Sequence, residues 1–346
     1  MKETLFLGTY TKRDSKGVYQ ISLDTDKPEL IELNHLVEED NPTYLTLSAD
    51  KRLYCVTKAA DKGGVAAYQL NEDGTFSFIN REVTDGAPPC YVAVDEERQL
   101  VYSAFYHQGS VASYTIREDG GLELADLIQH DGNGPHANQQ GPHVHYADLT
   151  PDNRLVVCDL GNDSVYTYHV APDGKLTETA RFAAEPGTGP RHLVFHPNKQ
   201  TAYLFGELAN TVTVLAYDAA AGSFEALQTV STLPEDFHDF NGGAAIRISS
   251  DGKFLYASNR GHNSLAVFSV ADNSESIQLI QLISVEGDFP RDFALDNTER
   301  FIVVANQNTD NLTLIQRDQT SGKLTLLAKD IYAPETVCTF FVPAND

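Results

Sequence analysis

Charged and polar side chains recur at two fixed places in a sequence whose repeated strand-like segments are otherwise apolar. One place lies four residues beyond a repeated aromatic or aliphatic position and collects Lys58, Glu207, Arg260 and Asn306. The other lies beside a repeated proline and collects His143, Arg191 and Arg291. A neutral imidazole near pH 7 suits a general base, and planar guanidinium groups match carboxylate and phosphate. These residue types therefore indicate anion binding combined with proton transfer.

Burying such charges inside packed sheets would be costly, so we expect them around a water-accessible axial mouth. The alternative is that they only line a channel, where they hold water and tie neighbouring elements together through ion pairs.

The segments that must position these side chains form a repeat. Each copy has a strand that usually begins at proline, a turn containing Asp or Asn, and three further strands. The seven openings start near the following positions: Pro42, Pro89, Pro142, Pro190, Ala244, Pro290 and Pro334. They are 47, 53, 48, 54, 46 and 44 residues apart. A period of about 40 to 50 residues per four-stranded unit is typical of a β-propeller, so we predict an all-β, closed seven-bladed propeller forming one domain over residues 1–346.

The two ends of the sequence supply parts of one repeat. Segments Thr4 to Tyr10, Gly17 to Leu23 and Glu29 to Leu36 resemble the second, third and fourth strands of a unit. Glu335 to Val342 resembles a first strand without successors. We therefore expect the N- and C-terminal strands to share one blade, which removes open sheet edges.

Composition excludes several classes of function. The chain has 25 Lys and Arg against 49 Asp and Glu, a formal net charge of −24, which argues against nucleic-acid binding. No apolar run is long enough for a membrane span and no signal-peptide core is present, so we expect a cytoplasmic protein without a membrane partner. Neither a cofactor nor a metal is expected, the four cysteines are expected to be free thiols, and no oligomeric state is predicted.

Several motifs together resemble the seven-bladed propeller lactonase family, which includes 6-phosphogluconolactonases and carboxy-cis,cis-muconate cyclases. The motifs, spread over essentially the whole chain, are Gly8-Thr9-Tyr10-Thr11, Gly141-Pro142-His143-Val144-His145, Asp159-Leu160-Gly161-Asn162-Asp163, Gly189-Pro190-Arg191-His192, Gly206-Glu207-Leu208, Ser258-Asn259-Arg260-Gly261-His262-Asn263-Ser264 and Phe289-Pro290-Arg291-Asp292-Phe293.

The resemblance implies a site made of a histidine, two arginines and a glutamate. By motif match the catalytic residues are His145, Arg191, Glu207 and Arg260. Residues expected to bind substrate are His143, His192, Asn259, Arg291 and Asn306. The sequence departs from the family pattern at three positions: Gly206, Ala245 and Arg247.

The implied activity is hydrolysis of a sugar lactone, with 6-phosphogluconolactone of the pentose phosphate pathway as the expected small anionic substrate. His145 would be the base, Glu207 would orient water or the imidazole, Arg191 and Arg260 would bind the oxyanion and the substrate anion, and Arg291 would bind phosphate. Three alternatives are a lactonase or cyclase acting on a carboxylated lactone, a non-catalytic sugar-phosphate-binding propeller and a protein-interaction platform.

Overall fold

The terminal blade is built from strands near both ends of the chain. The computed structural model describes residues 1–344. The blade contains β1 (Lys2–Thr9), β2 (Gly17–Asp24) and β3 (Glu29–Glu38), and β28 (Thr336–Phe341) pairs antiparallel with β1, Leu5 lying opposite Phe341. The prediction that the terminal strands share one blade is confirmed.

Three four-stranded blades follow along the chain. Blade 1 contains β4 (Leu45–Leu47), β5 (Arg52–Ala59), β6 (Lys62–Leu70) and β7 (Phe76–Asp85). Blade 2 contains β8 (Tyr91–Asp95), β9 (Leu100–Phe105), β10 (Ser110–Ile116) and β11 (Leu122–Gln129). Blade 3 contains β12 (Val144–Leu149), β13 (Leu155–Asp159), β14 (Ser164–Val170) and β15 (Leu176–Ala183).

Blades 4 to 6 repeat the same strand order. Blade 4 contains β16 (Pro190–Phe195), β17 (Thr201–Gly206), β18 (Thr211–Asp218) and β19 (Ser223–Ser231). Blade 5 contains β20 (Gly242–Ile248), β21 (Phe254–Arg260), β22 (Ser264–Val270) and β23 (Ile277–Ser284). Blade 6 contains β24 (Pro290–Leu295), β25 (Phe301–Asn306), β26 (Asn311–Arg317) and β27 (Leu324–Tyr332).

The predicted fold class, an all-β seven-bladed propeller, is confirmed by seven four-stranded antiparallel sheets. Residues 1–344 contain no helix, and so no helical stretch among them could cross a lipid bilayer.

The described residues form two compact units, so the expectation of a single domain stays a prediction. Unit 1 comprises Met1–His35, His192–Ala216 and residues 225–344, and unit 2 comprises Leu36–Arg191 and Tyr217–Phe224. In unit 2 the first strands of blades 1, 2 and 3 are neighbours in chain order. In unit 1 the first strands of blades 5 and 6 and the terminal strand β28 are likewise consecutive neighbours.

Buried tyrosines of the second strands tie blades together within each unit. Tyr54 in blade 1 donates its hydroxyl hydrogen to the carbonyl of Gly120 in blade 2 at 3.2 Å. Tyr203 and Tyr256 make the same kind of bond to Ser274 and Gly322 of the following blade, each at 3.0 Å. Burial raises the pKa of Tyr256 to about 12, so the hydroxyl stays protonated and able to donate. In these three blades, the tyrosine at the repeated second-strand position therefore contacts the following blade.

Candidate active site

Two imidazoles of unit 2 are organised by the ring of Tyr106, directly after β9. The His143 ring stacks on Tyr106 with centroids 4.4 Å apart and an interplanar angle of 12°. The His145 ring meets Tyr106 edge-on at 5.7 Å. His143 is half-buried and His145 is buried, so the more accessible imidazole lies at the entry to β12.

One hydrogen bond determines which ring nitrogen of His143 carries a hydrogen. Its Nδ1 lies 2.9 Å from the carbonyl oxygen of Tyr106, and a carbonyl can only accept, so Nδ1 carries the hydrogen. In the neutral imidazole, Nε2 therefore keeps its lone pair and can accept a proton. The ring is thus oriented for base chemistry at one defined nitrogen.

A buried carboxylate anchors the backbone of the same residue. Asp159, at the end of β13, accepts the N–H of His143 at 2.7 Å and that of Gly161 at 2.9 Å through Oδ1. Its Oδ2 lies 2.8 Å from Nδ1 of His130, whose Nε2 lies 2.8 Å from the hydroxyl of Tyr168. Asp159 is fully buried, so the position of His143 is set from inside blade 3.

A polar cavity of about 570 Å³ borders His143, and its lining also includes His107, Gln108, His130 and Gln140. Burial and the neighbouring His143 together lower the pKa of His107, which favours its neutral form. The segment 130–142, between β11 and β12, supplies part of the wall.

A β-bulge sets the direction of His145. In the pairing of β12 with β13, Val144 faces Asp159 while Tyr146 faces Cys158, so His145 is an extra residue in its strand. Arg291 occupies the same kind of bulge in β24, between Pro290 and Asp292. Bulges re-aim side chains next to functional sites. Counting positions from the repeated proline did not predict that His145 and Arg291 each lie in a bulge.

Arg191 is the third predicted residue in unit 2. It lies in β16 and is 2% exposed. The preceding turn is ordered by Asp163, which accepts the N–H groups of Gly187 and Gly189 at 2.7 and 2.8 Å. Gly189 has φ of 62°, a left-handed conformation that favours glycine.

Glu207 and Arg260 form an ion pair in unit 1. Nη2 of Arg260 lies 2.9 Å from Oε2 of Glu207, directly after β17. The same guanidinium donates to the carbonyls of Gly242 and Gly243 at 3.2 and 2.7 Å and lies over the Phe289 ring at 5.1 Å. A side chain at Gly243 would approach Phe205 within 2.6 Å, so glycine is needed for this packing. Arg260 thus holds Glu207 in place.

Three of the four predicted substrate-binding residues of unit 1 are buried, and the fourth, Arg291, is half-buried. His192 is buried, 4% exposed. Asn259 is fully buried, donating to the Thr232 carbonyl at 3.0 Å and accepting from its hydroxyl at 2.8 Å. Asn306 is equally buried and donates to Thr313 at 3.0 Å. The structure therefore bonds the Asn259 amide through both its nitrogen and its oxygen, whereas for Asn306 the amide nitrogen is bonded and the buried Oδ1 has no hydrogen-bond partner within residues 1–344.

Arg291 is half-buried, donates to Oε1 of Gln307 at 3.3 Å and lies 5.5 Å from the centre of the Tyr10 ring. Lys12 is exposed, and its Nζ lies 4.0 Å from the same ring centre. The sequence prediction contained Arg291 and missed Tyr10 and Lys12 as its companions, although both stand in or beside the Gly8–Thr11 motif.

Arg247, one of the three positions that depart from the family pattern, forms an ion pair. Arg247 in β20 pairs with Asp292 at 2.8 Å, and Asp292 also accepts the N–H of Thr339 in β28 at 2.8 Å. Ala245 donates its backbone N–H to Ser258 at 3.0 Å. Arg247 therefore links blade 5 to blade 6 and, through Asp292, to the terminal blade.

No group of three or more His, Cys, Asp or Glu that could hold a metal ion occurs within residues 1–344. The same residues contain four free cysteines, of which Cys90 is half-buried and Cys55, Cys158 and Cys338 are buried.

Comparison with known proteins places these observations in context. The family model described as "Lactonase, 7-bladed beta-propeller" matches residues 4–341. A Bacillus subtilis protein named 6-phosphogluconolactonase is 44% identical over 341 residues, covering 97% of each chain. A crystal structure of a Lactobacillus plantarum protein is 54% identical with a TM-score of 0.97, covering 99% of this chain and 100% of that one. A Pseudomonas aeruginosa periplasmic gluconolactonase is 31% identical with a TM-score of 0.93, covering 99% of each chain.

Proposed function

The chain belongs to the seven-bladed β-propeller lactonase family and is a lactone hydrolase, and from this premise we propose that its substrate is 6-phosphogluconolactone. The named Bacillus relative supports this choice. The product would be 6-phosphogluconate, and we propose that the reaction belongs to the pentose phosphate pathway and takes place in the cytoplasm, as predicted from the sequence.

The observation that carries the chemistry is the pair of imidazoles on Tyr106. Hydrolysis adds water to the lactone carbonyl, breaks the ring C–O bond and yields a hydroxyl group and a carboxylic acid, which ionises. A base is needed for the attacking water and an acid for the leaving ring oxygen. We assign the base to His145, as the resemblance implies, and substrate binding to His143, whose fixed Nδ1–H leaves Nε2 as an acceptor.

The remaining roles follow from side-chain chemistry. Arg191 would stabilise the oxyanion of the tetrahedral intermediate, because a guanidinium donates charged hydrogen bonds. Glu207, held by Arg260, would orient the attacking water through its second carboxylate oxygen. His192 would contact the substrate, and Arg291 would bind its phosphate. For the buried Asn259 and Asn306 we propose a positioning role in place of direct contact.

The test is a rate assay on freshly generated 6-phosphogluconolactone and on its unphosphorylated analogue, with spontaneous hydrolysis subtracted. We expect catalysed hydrolysis of both, with the phosphorylated lactone preferred in kcat/KM. A carboxylated lactone as the preferred substrate, or no acceleration on any lactone, would contradict the proposal.

His145→Gln and His143→Gln, assayed separately, test the base assignment. The variant lacking the base should lose its rate mainly in kcat, whereas loss of a binding group should mainly raise KM. A larger kcat loss in His143→Gln would transfer the base role to His143.

A further inference from the structure

Two cations in unit 1 share one aromatic ring. Lys12 Nζ lies 4.0 Å from the centre of the Tyr10 ring, and the Arg291 guanidinium carbon lies 5.5 Å from it. Tyr10 follows β1 of the terminal blade, and Arg291 sits in the bulge of β24 in blade 6. The ring therefore brings together two positive charges from two different blades.

Neither cation forms an ion pair within residues 1–344, in contrast to three other arginines of this unit. The neighbouring Arg13 binds Asp310 at 2.7 Å, Arg247 binds Asp292 and Arg260 binds Glu207. The chain carries 49 acidic against 25 basic residues, so carboxylates are abundant. Two cations that share one ring and have no ion-pair partner leave positive charge uncompensated, and an incoming anion would compensate it.

The buried carboxylate that contacts the Lys12 backbone, Glu335, is engaged by several backbone N–H groups. Glu335 accepts the N–H groups of Lys12, Arg13, Asp14 and Ser15 at distances from 2.8 to 3.1 Å. These bonds fix the loop that carries Lys12, whose ammonium group lies over the Tyr10 ring. Lys12 is therefore an exposed cation on an ordered backbone.

A phosphate monoester fits this pair better than a carboxylate does. It carries about two negative charges near pH 7 and three acceptor oxygens. Arg291 can offer a planar fork, Lys12 a mobile point charge and Tyr10 a hydroxyl donor. At contact distance this local attraction outweighs the field of the net negative charge, which salt screens beyond about 8 to 10 Å.

We propose that Lys12, Tyr10 and Arg291 form a phosphate-monoester site, and that Lys12 is a determinant of specificity for phosphorylated lactones. The proposal rests on the lactonase function proposed above and adds Lys12 and Tyr10 to the anion role of Arg291.

The kinetic test compares Lys12→Gln with Lys16→Gln. Lys16 is an exposed lysine of the same loop, and within residues 1–344 its side chain forms no hydrogen bond or ion pair, while its backbone N–H donates to the Tyr19 hydroxyl at 3.1 Å. We expect Lys12→Gln to reduce the preference for the phosphorylated over the unphosphorylated lactone, as a ratio of kcat/KM, by about tenfold, as loss of one charged hydrogen bond typically does. Lys16→Gln should match the wild type, and Lys12→Arg should restore most of the preference. An unchanged ratio in Lys12→Gln would overturn the proposal.

A binding test separates this site from the catalytic proposal. Calorimetric titration with inorganic phosphate, 6-phosphogluconate and gluconate needs no turnover. In Lys12→Gln and Arg291→Gln, affinity for the first two should fall about tenfold or more, whereas affinity for gluconate should match the wild type. Equal loss for gluconate would show that the cations hold a carboxylate and would overturn the phosphate assignment. Weakened phosphate binding in a protein that hydrolyses no lactone would refute the proposed function and leave this site standing.

Discussion

At the residue scale, Tyr106 and Asp159 together determine how His143 is presented. The Tyr106 carbonyl fixes the hydrogen on Nδ1, its ring fixes the imidazole plane, and Asp159 fixes the backbone. None of these groups needs to touch substrate. Such supporting contacts hold a reactive side chain within the narrow tolerance that proton transfer requires.

Arg191 is the residue whose removal should affect the chemical step most directly. We expect Arg191→Ala to lower kcat by about a hundredfold or more, since removing one oxyanion donor typically costs 10² to 10³. Steady-state kinetics on the lactone gives the rate, and thermal unfolding checks that the buried site tolerates the change. Arg300→Ala is the control and should keep its rate, because among the described residues this guanidinium bonds only to Thr298 and lies over Phe301. Wild-type kcat in Arg191→Ala would remove Arg191 from the mechanism.

Residue types and their repeat positions predicted which polar and charged residues belong to the candidate site. The hydrogen-bond partners of each side chain could not be predicted. Asn259 and Asn306 stand at or beside repeat positions that suggest a site, yet their amides bond to Thr232 and Thr313 inside the blades. Which partner a buried amide finds depends on packing between distant strands. Spacing along the chain does not contain that information.

At the element scale, the sequence predicted strands and blades well because both have local signals. Apolar alternation marks the strands and turn residues mark their ends, so the expected Gly17 to Leu23 matches β2 (Gly17–Asp24) closely. The bulges at His145 and Arg291 were not predicted, because a bulge is a property of the register between two strands. Register is fixed by pairing and is not visible in either strand alone.

Glu335 stabilises the terminal blade by binding the loop after β1. Burial opposes its ionisation, but hydrogen bonds from the backbone N–H groups of Arg13, Ser15 and Lys12 lower the pKa of its carboxyl below the ordinary value of 4.5. We expect Glu335→Gln to reduce the free energy of unfolding at pH 7 by about 2 to 4 kcal/mol, since each hydrogen bond to a charged group contributes about 1.5 to 3 kcal/mol and the amide retains part of it.

The effect should depend on pH in a defined direction. Because the folded-state pKa lies below the unfolded one, the contribution of Glu335 is complete above about pH 5 and is lost as pH falls through the folded pKa. Urea unfolding of wild type and Glu335→Gln at pH 7 and at about pH 3 would measure this. The difference between them should shrink at the acidic pH. A constant difference would mean that the carboxylate charge does not contribute.

At the scale of the whole molecule, the same contacts recur from blade to blade. Besides the tyrosine bonds, glutamine side chains of the fourth strands bond to the fourth strand of the following blade. Each amide donates to the backbone carbonyl of one residue and accepts from the N–H of the same residue. Gln228 makes these two bonds with Ile277 at 3.2 and 2.7 Å, and Gln281 makes them with Leu324 at 2.8 and 2.7 Å. Blade 4 is thereby joined to blade 5, and blade 5 to blade 6, at both the second and the fourth strand. Stability is distributed over repeated ties, as expected when each repeat mainly contacts its neighbours.

Removing one tie should therefore weaken the fold measurably without changing the site. Tyr256→Phe deletes a hydroxyl that donates to Gly322 at 3.0 Å and accepts from Nε of Arg317 at 2.6 Å. Leaving these buried partners unsatisfied should lower the free energy of unfolding by about 1 to 3 kcal/mol. Urea denaturation measures it, with Tyr332→Phe, whose ring is 58% exposed, as the neutral control. Equal stability of the two variants would show that the hydroxyl bonds are dispensable.

The pairing of Leu5 with Phe341 has a consequence for how the protein is made. A ribosome that adds roughly 5 to 20 residues per second needs on the order of 20 to 60 seconds between the two residues. Throughout that interval the nascent β1 presents an unpaired edge, and its apolar face lacks the strand that completes it. An unpaired edge is a template for pairing with other chains. Pairing of β28 thus ends an interval of edge exposure that began when β1 was synthesised. We expect chaperones to be needed mainly during this interval.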